Sequence, residues 1–554
     1  MSAALLLEHY ALIADAPDAI ARLRRFVLDL AVRGKLVDQE PSDEPASELL
    51  KRIAAEKTRL ILQKAIKKSE VPKIAFEDET PHPVPSNWQW GRLGHIGDWG
   101  AGSTPSRGNS DLYGGGMTWL KSGELNDNRA LAGSEETVTN AAIQSGSFRL
   151  NQPGDVLIAM YGATIGKVAI LAEPAVTNQA VCGCTPFTGI SNHYLFLFLL
   201  SQREQFHGAS EGGAQPNISK VKIINTPVPV PPLAEQHRIV AKVDELMALC
   251  DQLEAARVSR EAERDKLTAA SLARLNAPDP ETFPADARFV LDNLAPLTTR
   301  ADQIKHLRQT ILNLAARGTL VEQSADDEPA SESLQRIKVN APAGQQRRGK
   351  ARDTSAGNAL EEIPFEAPEG WAFASLGELV RVVNGRAYKQ QELLGEGIPV
   401  LRVGNLFTSK RWYYSDLALD DDKYCEAGDL IYAWSASFGP FIWNGPRVIY
   451  HYHIWKLPLI SETDLDKYFL YNFLLQKTRE IKDAGHGVSM VHMTKEKMEK
   501  LIVPIPPLAE QRRIVAKVDE LMDMCDQLEV SLTTGEQIRS RLLESVLHHA
   551  FEPA

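Results

Sequence analysis

The stretch Gly-Ala-Thr-Ile-Gly-Lys, Gly162 to Lys167, has the outline of a phosphate-cradling loop. A Walker A loop needs four residues between its glycines and a Ser or Thr after its lysine. Here three intervene and Val168 follows, so the spacing does not support phosphate chemistry. Gly-Ala-Gly-Ser-Thr-Pro, Gly100 to Pro105, has no dinucleotide fingerprint around it. Cys182 and Cys184 have no second ligand pair nearby. His451 and His453 alternate along a predicted strand, where ordinary surface histidines are the alternative to a metal pair that would still need further ligands. No HExxH helix or adenosylmethionine-type glycine signature occurs, and Gly-Ala-Ser-Glu-Gly, Gly208 to Gly212, follows a helical run where a GxSxG elbow needs a strand. The reading is a chain that does no covalent chemistry by itself, with no catalytic residue, no metal and no cofactor of its own.

Polar and planar side chains in glycine-bounded loops are what remains. In the first half these are Ser103, Thr104, Arg107, Lys121, Tyr161, Thr164, Lys167, Asn178, Gln179, Gln215, Asn217 and Lys220. In the second they are Arg386, Tyr388, Lys389, Arg402, Asn405, Trp434, Ser435, Ser437, His453, His486 and Ser489. Arg and Lys bond guanine edges, Asn and Gln bond adenine, and a good bidentate contact discriminates by about 1–3 kcal/mol. For any one of them the alternative is ordinary polar surface. Residues 85–229 hold nine basic and ten acidic residues, and the whole chain has a net charge of −11. That balance excludes a polybasic coat; any grip on nucleic acid must come from local contacts or from partners.

The elements that would carry these loops are written twice. Pro231–Glu254 and Pro506–Glu529 differ at three positions only, His237/Arg512, Ala248/Asp523 and Leu249/Met524. The segment from Ile20 returns from Ile304, with Leu23, Val27 and Leu30 matched by Leu307, Ile311 and Leu314, and with Gly34 and Gly318 placed as helix C-caps. Asp43–Leu50 and Asp327–Leu334 each turn into another helix. Helical segments are nearly copied, whereas the stretches between them keep only a skeleton. That contrast suits one frame carrying two unlike sensors.

Ile239, Val243, Leu246, Cys250 and Leu253 form a heptad-type seam, repeated at Ile514, Val518, Leu521, Cys525 and Leu528. It predicts two long helices pairing along that seam. Copies related by a pseudo-twofold axis close isologously, so the pair is expected to be antiparallel. The predicted division is residues 1–84 helical, 85–230 a mixed module, 231–276 a long helix, 277–340 helical, 341–367 a flexible linker, 368–505 a second mixed module and 506–554 a second long helix. The expected fold class is α+β, two α/β modules joined by that pair, with internal pseudo-twofold symmetry. Five scattered cysteines and the lack of a basic-plus-apolar leader fit a reducing, cytoplasmic setting, and no apolar run is long enough for a membrane span.

Taken together, Ser103–Leu125, Gly154–Leu171, Thr177–Val181, Val230–Leu246 with its second copy, and the twin Arg-Gly…Asp-Glu-Pro-Ala-Ser blocks make the chain resemble, from about Ile20 onward, the specificity subunit of type I restriction-modification systems. The resemblance implies two target-recognition domains, each reading half of a split DNA site, spaced by the long helices. It implies as partners double-stranded DNA, two modification subunits that bind adenosylmethionine and methylate adenine at N6, and restriction subunits that use ATP and magnesium. A stand-alone DNA-binding regulator and a coiled-coil scaffold without a methyltransferase are the alternatives. Co-purification of a methyltransferase subunit would separate the first, and a footprint on a bipartite sequence the second.

Overall fold

Helices that begin and end at copied residues frame the chain. The computed structural model describes residues 16, 18–68, 80–145, 148–210, 216–276, 279, 281–341, 365, 367–435, 438–484 and 493–549. Nearly all of the predicted linker 341–367 lies outside them. Two units result, Met1–Ser259 with Ile538–Ala554, and Arg260–Gln537.

In the first unit, helix α1 (Ala19–Val32) buries Ile20, Leu23, Val27 and Ala31, one stripe at helical spacing. Helix α2 (Ala46–Leu62) starts just after Pro45, whose fixed φ suits a helix entry. The module follows as β1 (Gln89–Arg92), β2 (Gly97–Ala101), β3 (Tyr113–Leu120), β4 (Asn128–Leu131), β5 (Thr137–Val138), β6 (Val156–Ala159), β7 (Val168–Leu171), β8 (Val176–Thr177), β9 (Val181–Pro186), helix α3 (Asn192–Ser201) and β10 (Pro227–Val230). Antiparallel pairing of β1 with β10 sets Gln89 opposite Val230 and closes the module on itself. The larger sheet runs β2-β9-β6-β7-β4, the smaller β5-β3-β8. β6 and β7 are buried along their whole length, which explains runs that do not alternate. Six consecutive residues of α3, Tyr194–Leu199, are also buried. Helix α4 (Leu233–Asn276) then starts directly after Pro231-Pro232.

The second unit repeats the plan with α5 (Ala301–Arg317), α6 (Ala330–Asn340), β11 (Ala372–Ser375), β12 (Val383–Asn384), β13 (Ile398–Leu401), β14 (Tyr413–Ser415), β15 (Tyr424–Cys425), β16 (Leu430–Ala433), β17 (Gly439–Ile442), β18 (Val448–Tyr450), β19 (Ile454–Lys456), α7 (Lys467–Ala484), β20 (Ile502–Ile505) and α8 (Leu508–His549). Its sheets run β12-β19-β16-β17 and β14-β13-β18-β15, the orders of the first module with one edge strand exchanged. Pairing is mainly antiparallel; β3–β8, β13–β18 and β4–β7 are the parallel pairs among the described residues. The class is therefore α+β, two modules on a duplicated helical frame.

The seam faces a different partner from the one predicted. Ile239 and Val243 are buried in one core with Val27, Leu28 and Ala31 of α1, and Cys250 packs on Ile20 and Leu23. Ile514, Val518 and Cys525 pack on Ile304, Ile311, Leu312 and Ala315 of α5 and on Phe469 of α7. Leu246 and Leu253, like Leu521 and Leu528, flank these clusters half-buried. The near partner of each long helix is thus the shorter helix of its own half, whose apolar stripe has a matching period. Arg24 joins them through Asp251 at 2.6 Å and Glu254 at 2.6 Å, and Arg308 bonds Asp526 and Glu529 in the copy. Further along α4, Leu267 is exposed, while Leu272 and Leu275 are buried. A 3.6-residue period drifts off a strict heptad over this length.

The antiparallel sense of the long helices is visible inside each unit. In the first, Leu543 packs on Ala16 and Ala19 near Arg257, and Leu547 flanks Ile20, Leu23, Cys250 and Leu253. As α8 advances, its neighbours on α4 recede in number. In the second, α4 runs with α5 (Asp265 by Gln303, Asn276 by Asn313), and α8 runs against it (Arg308 by Glu529, Gln323 by Glu510).

Candidate nucleic-acid interface

Copied residues gather at the base of each module. Gly34, at φ 67°, lies where an added Cβ would sit 2.5 Å from Pro85 Cγ and 3.3 Å from Trp88; Gly318, at φ 75°, would meet Pro368 at 2.6 Å and Trp371 at 2.7 Å. Gln236 accepts from Ser191 N–H at 2.8 Å and donates to Pro231 O at 3.0 Å; Gln511 accepts from Asp466 N–H at 2.7 Å and donates to Pro506 O at 2.9 Å. Arg238 pairs with Asp43 at 2.7 Å and Arg513 with Asp327 at 2.6 Å. Buried Glu235 accepts from Gln39 at 2.6 Å, and buried Glu510 from Trp371 Nε1 at 3.1 Å. Burial pushes both of these carboxyls up from their ordinary range. These contacts account for much of the near-verbatim repeat, because the copied side chains fasten the long helix to its module and to the helical segment before it.

Beyond the base, one backbone frame recurs. In the first module, Gly102 N–H donates to Val181 O (3.1 Å), Ser103 N–H to Thr177 O (2.8 Å), Asn178 N–H to Leu120 O (2.9 Å), Val181 N–H to Asn178 O (3.2 Å) and Met160 N–H to Ala180 O (2.8 Å). In the second, Gly385 donates to Ile454 O (3.1 Å), Arg386 to Tyr450 O (3.1 Å), His451 to Leu401 O (2.9 Å), Ile454 to His451 O (2.9 Å) and Trp434 to His453 O (3.1 Å). Gly102 and Gly385 sit at the crossing, where a Cβ would lie 2.1 Å from Thr177 O and 2.3 Å from His451 O. The frame therefore equates Ser103 with Arg386, Asn178 with His451, Gln179 with Tyr452, Ala180 with His453, Tyr161 with Ser435 and Lys121 with Arg402. Every pair differs in residue type, and all but the two cations Lys121 and Arg402 differ in chemistry.

Other candidates of the first module surround this tip. Thr104 and Gln179 hydrogen-bond to each other, hydroxyl to amide oxygen. Tyr161 bridges Asn217, the Thr164 hydroxyl donates to Tyr161 O at 2.8 Å, and Lys167 Nζ reaches Asn126 at 2.9 Å. Lys220 is exposed at the head of a short helix. Arg107 lies 4.8 Å from the Tyr113 ring and pairs with Glu136 at 2.6 Å; Lys121 reaches Glu136 at 3.0 Å and Glu135 at 3.1 Å. Hydrogen bonds from Arg107 and then Lys121 hold the Glu136 carboxyl down at about 2. These two cations are engaged by glutamates that the sequence reading passed over.

In the second module, Arg386 pairs with Glu392 at 2.7 Å and lies 5.4 Å from the ring of Tyr388, whose hydroxyl burial pushes up to about 12. Lys389 N–H donates to Glu392 at 2.8 Å. Asn405 caps the Arg402 N–H at 3.1 Å, and Arg402 and Arg411 each lie 5.1 Å from the Tyr413 ring. Trp434 Nε1 donates to Tyr452 O at 2.8 Å, its ring 5.0 Å from His453 and 5.7 Å from Trp455. Ser435 follows it, half-buried. Burial, with His453 and Arg402 adding, lowers His451 to about 4. His451 and His453 lie on a tight turn between β18 and β19, not on one strand as expected, and among the described residues no cluster of three potential metal ligands forms. Gln215, Ser437, His486 and Ser489 lie outside the described residues. His451 and Tyr452 stand at this tip without being among the binding candidates read from the sequence; setting Thr177–Val181 against Tyr450–Ile454, equal in length, would have pointed to them.

A two-module protein with one frame and two sets of tip residues is the class that this geometry defines. The chain matches the type I restriction modification DNA specificity domain over residues 85–264 and 368–534, and it belongs to that family. It is 30% identical, over 95% of its length and 93% of the relative's, to the type I restriction enzyme EcoAI specificity subunit of Escherichia coli. Identity to the EcoEI specificity subunit of the same organism is 26%, over 95% of this chain and 93% of that one. The crystal structure of the HsdS subunit from Thermoanaerobacter tengcongensis aligns with 85% of this chain and 98% of its own, at 18% identity and a TM-score of 0.45. No described helix is long and apolar enough to cross a membrane.

Proposed function

We propose that this chain is the non-catalytic, DNA-reading subunit of a type I restriction-modification complex, with each module reading one half of a bipartite site. The observation that carries this reading is the pair of matched backbone frames, alike at the base and carrying different residues at the tip. A frame whose side chains are exchanged wholesale keeps its pose on the duplex while changing the bases it prefers. Two tethered readers add their discrimination, and the second contact gains from high effective concentration. Its 44 residues make α4 roughly 65 Å of helix, a spacer between the two readings.

The partners follow from the chemistry this reading leaves to others. Two methyltransferase subunits bring adenosylmethionine and methylate adenine N6, and restriction subunits bring ATP and magnesium. A base must leave the stack to be methylated, so this chain holds the duplex while the partner opens it. Mapping N6-methyladenine in cells carrying the chain and its methyltransferase tests the reading. A two-part motif with a fixed unread gap supports it; methylation without such a motif contradicts it.

A further inference from the structure

We propose that the turn between β8 and β9 is the base-reading element of the first module, and that Gln179, oriented by Thr104, reads an adenine. This rests on the DNA-reading function proposed above. Both ends of the turn are pinned by the recurring frame, and Gly102 approaches it so closely that an added Cβ would lie 2.1 Å from Thr177 O. Its side chains are Asn178, Gln179 and Ala180, against His451, Tyr452 and His453 in the other module, so the two copies part company within one rigid turn.

Of the turn's own side chains, Gln179 is the exposed one. Asn178 Oδ1 accepts the Ala180 N–H at 3.1 Å, and Arg107 and Lys121 are paired with Glu135 and Glu136. Gln179 is exposed, and the Thr104 hydroxyl bonds its amide oxygen, which fixes the amide's orientation. The NH2 group stays available as donor, and the oxygen keeps a second lone pair. Adenine presents N7 as acceptor and N6–H2 as donor, matching that fixed pair; guanine presents two acceptors, N7 and O6, and sets one against the amide oxygen. The adenine read is distinct from the one methylated, because that base leaves the stack.

The test is N6-methyladenine mapping in cells carrying the chain with its methyltransferase subunits, for wild type, Gln179→Ala, Gln179→Arg and Thr104→Val. Gln179→Ala is expected to relax one adenine position in one half-site, with preference for that base falling roughly 5- to 150-fold. Gln179→Arg should replace that adenine by guanine, and Thr104→Val should relax the same position more weakly. An unchanged motif in Gln179→Ala, relaxation at a non-adenine, change in both half-sites, or complete loss of methylation in an assembled complex would each overturn the proposal. If wild type itself shows no bipartite motif, the DNA-reading function fails and this inference with it; a wild-type motif that ignores Gln179 refutes the inference alone.

Discussion

Gly34 and Gly318 each answer two demands at once, a left-handed φ and contact with a proline and a tryptophan closer than a Cβ allows. Gly34→Ala therefore costs about 1–3 kcal/mol, read as a lower unfolding midpoint, because the strained φ adds to a clash with a rigid ring. Glu510 makes a pH-dependent case. Burial raises its pKa above the ordinary 4.5, so the folded chain binds this proton more tightly than the unfolded chain does. Its favourable contribution is complete below 4.5 and lost as pH rises through the folded value. Glu510→Gln should then melt above wild type at pH 8, with the gap closing as pH falls toward 4.5. A gap that widens on acidification would show that the charged form is the one stabilised.

At the scale of elements, the long helices are held chiefly by α1 and α5. Ile239 and Ile514 are fully buried, and truncating either to Ala should lower stability by about 2–5 kcal/mol, measured by denaturant unfolding. Helices, their copied ends and the Gly34 and Gly318 caps were legible in the sequence because apolar period and cap chemistry are local. The partner of the seam was not, since a heptad stripe states that a face is buried and leaves open by what. Strands β6 and β16 were legible as apolar runs, whereas the turn at His451 was misread as strand because alternating residues look alike in both. The engagement of Arg107 by Glu136 joins residues 29 apart across separate loops, which no spacing rule reports.

For the whole molecule, the proposed function makes the duplicated frame a spacer and the modules the readers. Adding one turn to both α4 and α8, between their buried seams and distal ends, should widen the unread gap while leaving both half-site sequences intact. An unchanged gap in the methylation map would remove the spacer role. In the proposed function each module reads independently. Exchanging residues 85–229 for the corresponding module of another family member, then sequencing the methylated sites, tests it most directly. The expected outcome is a new sequence in one half-site, with the other half-site and the gap preserved; a change in both half-sites would rule out independent reading.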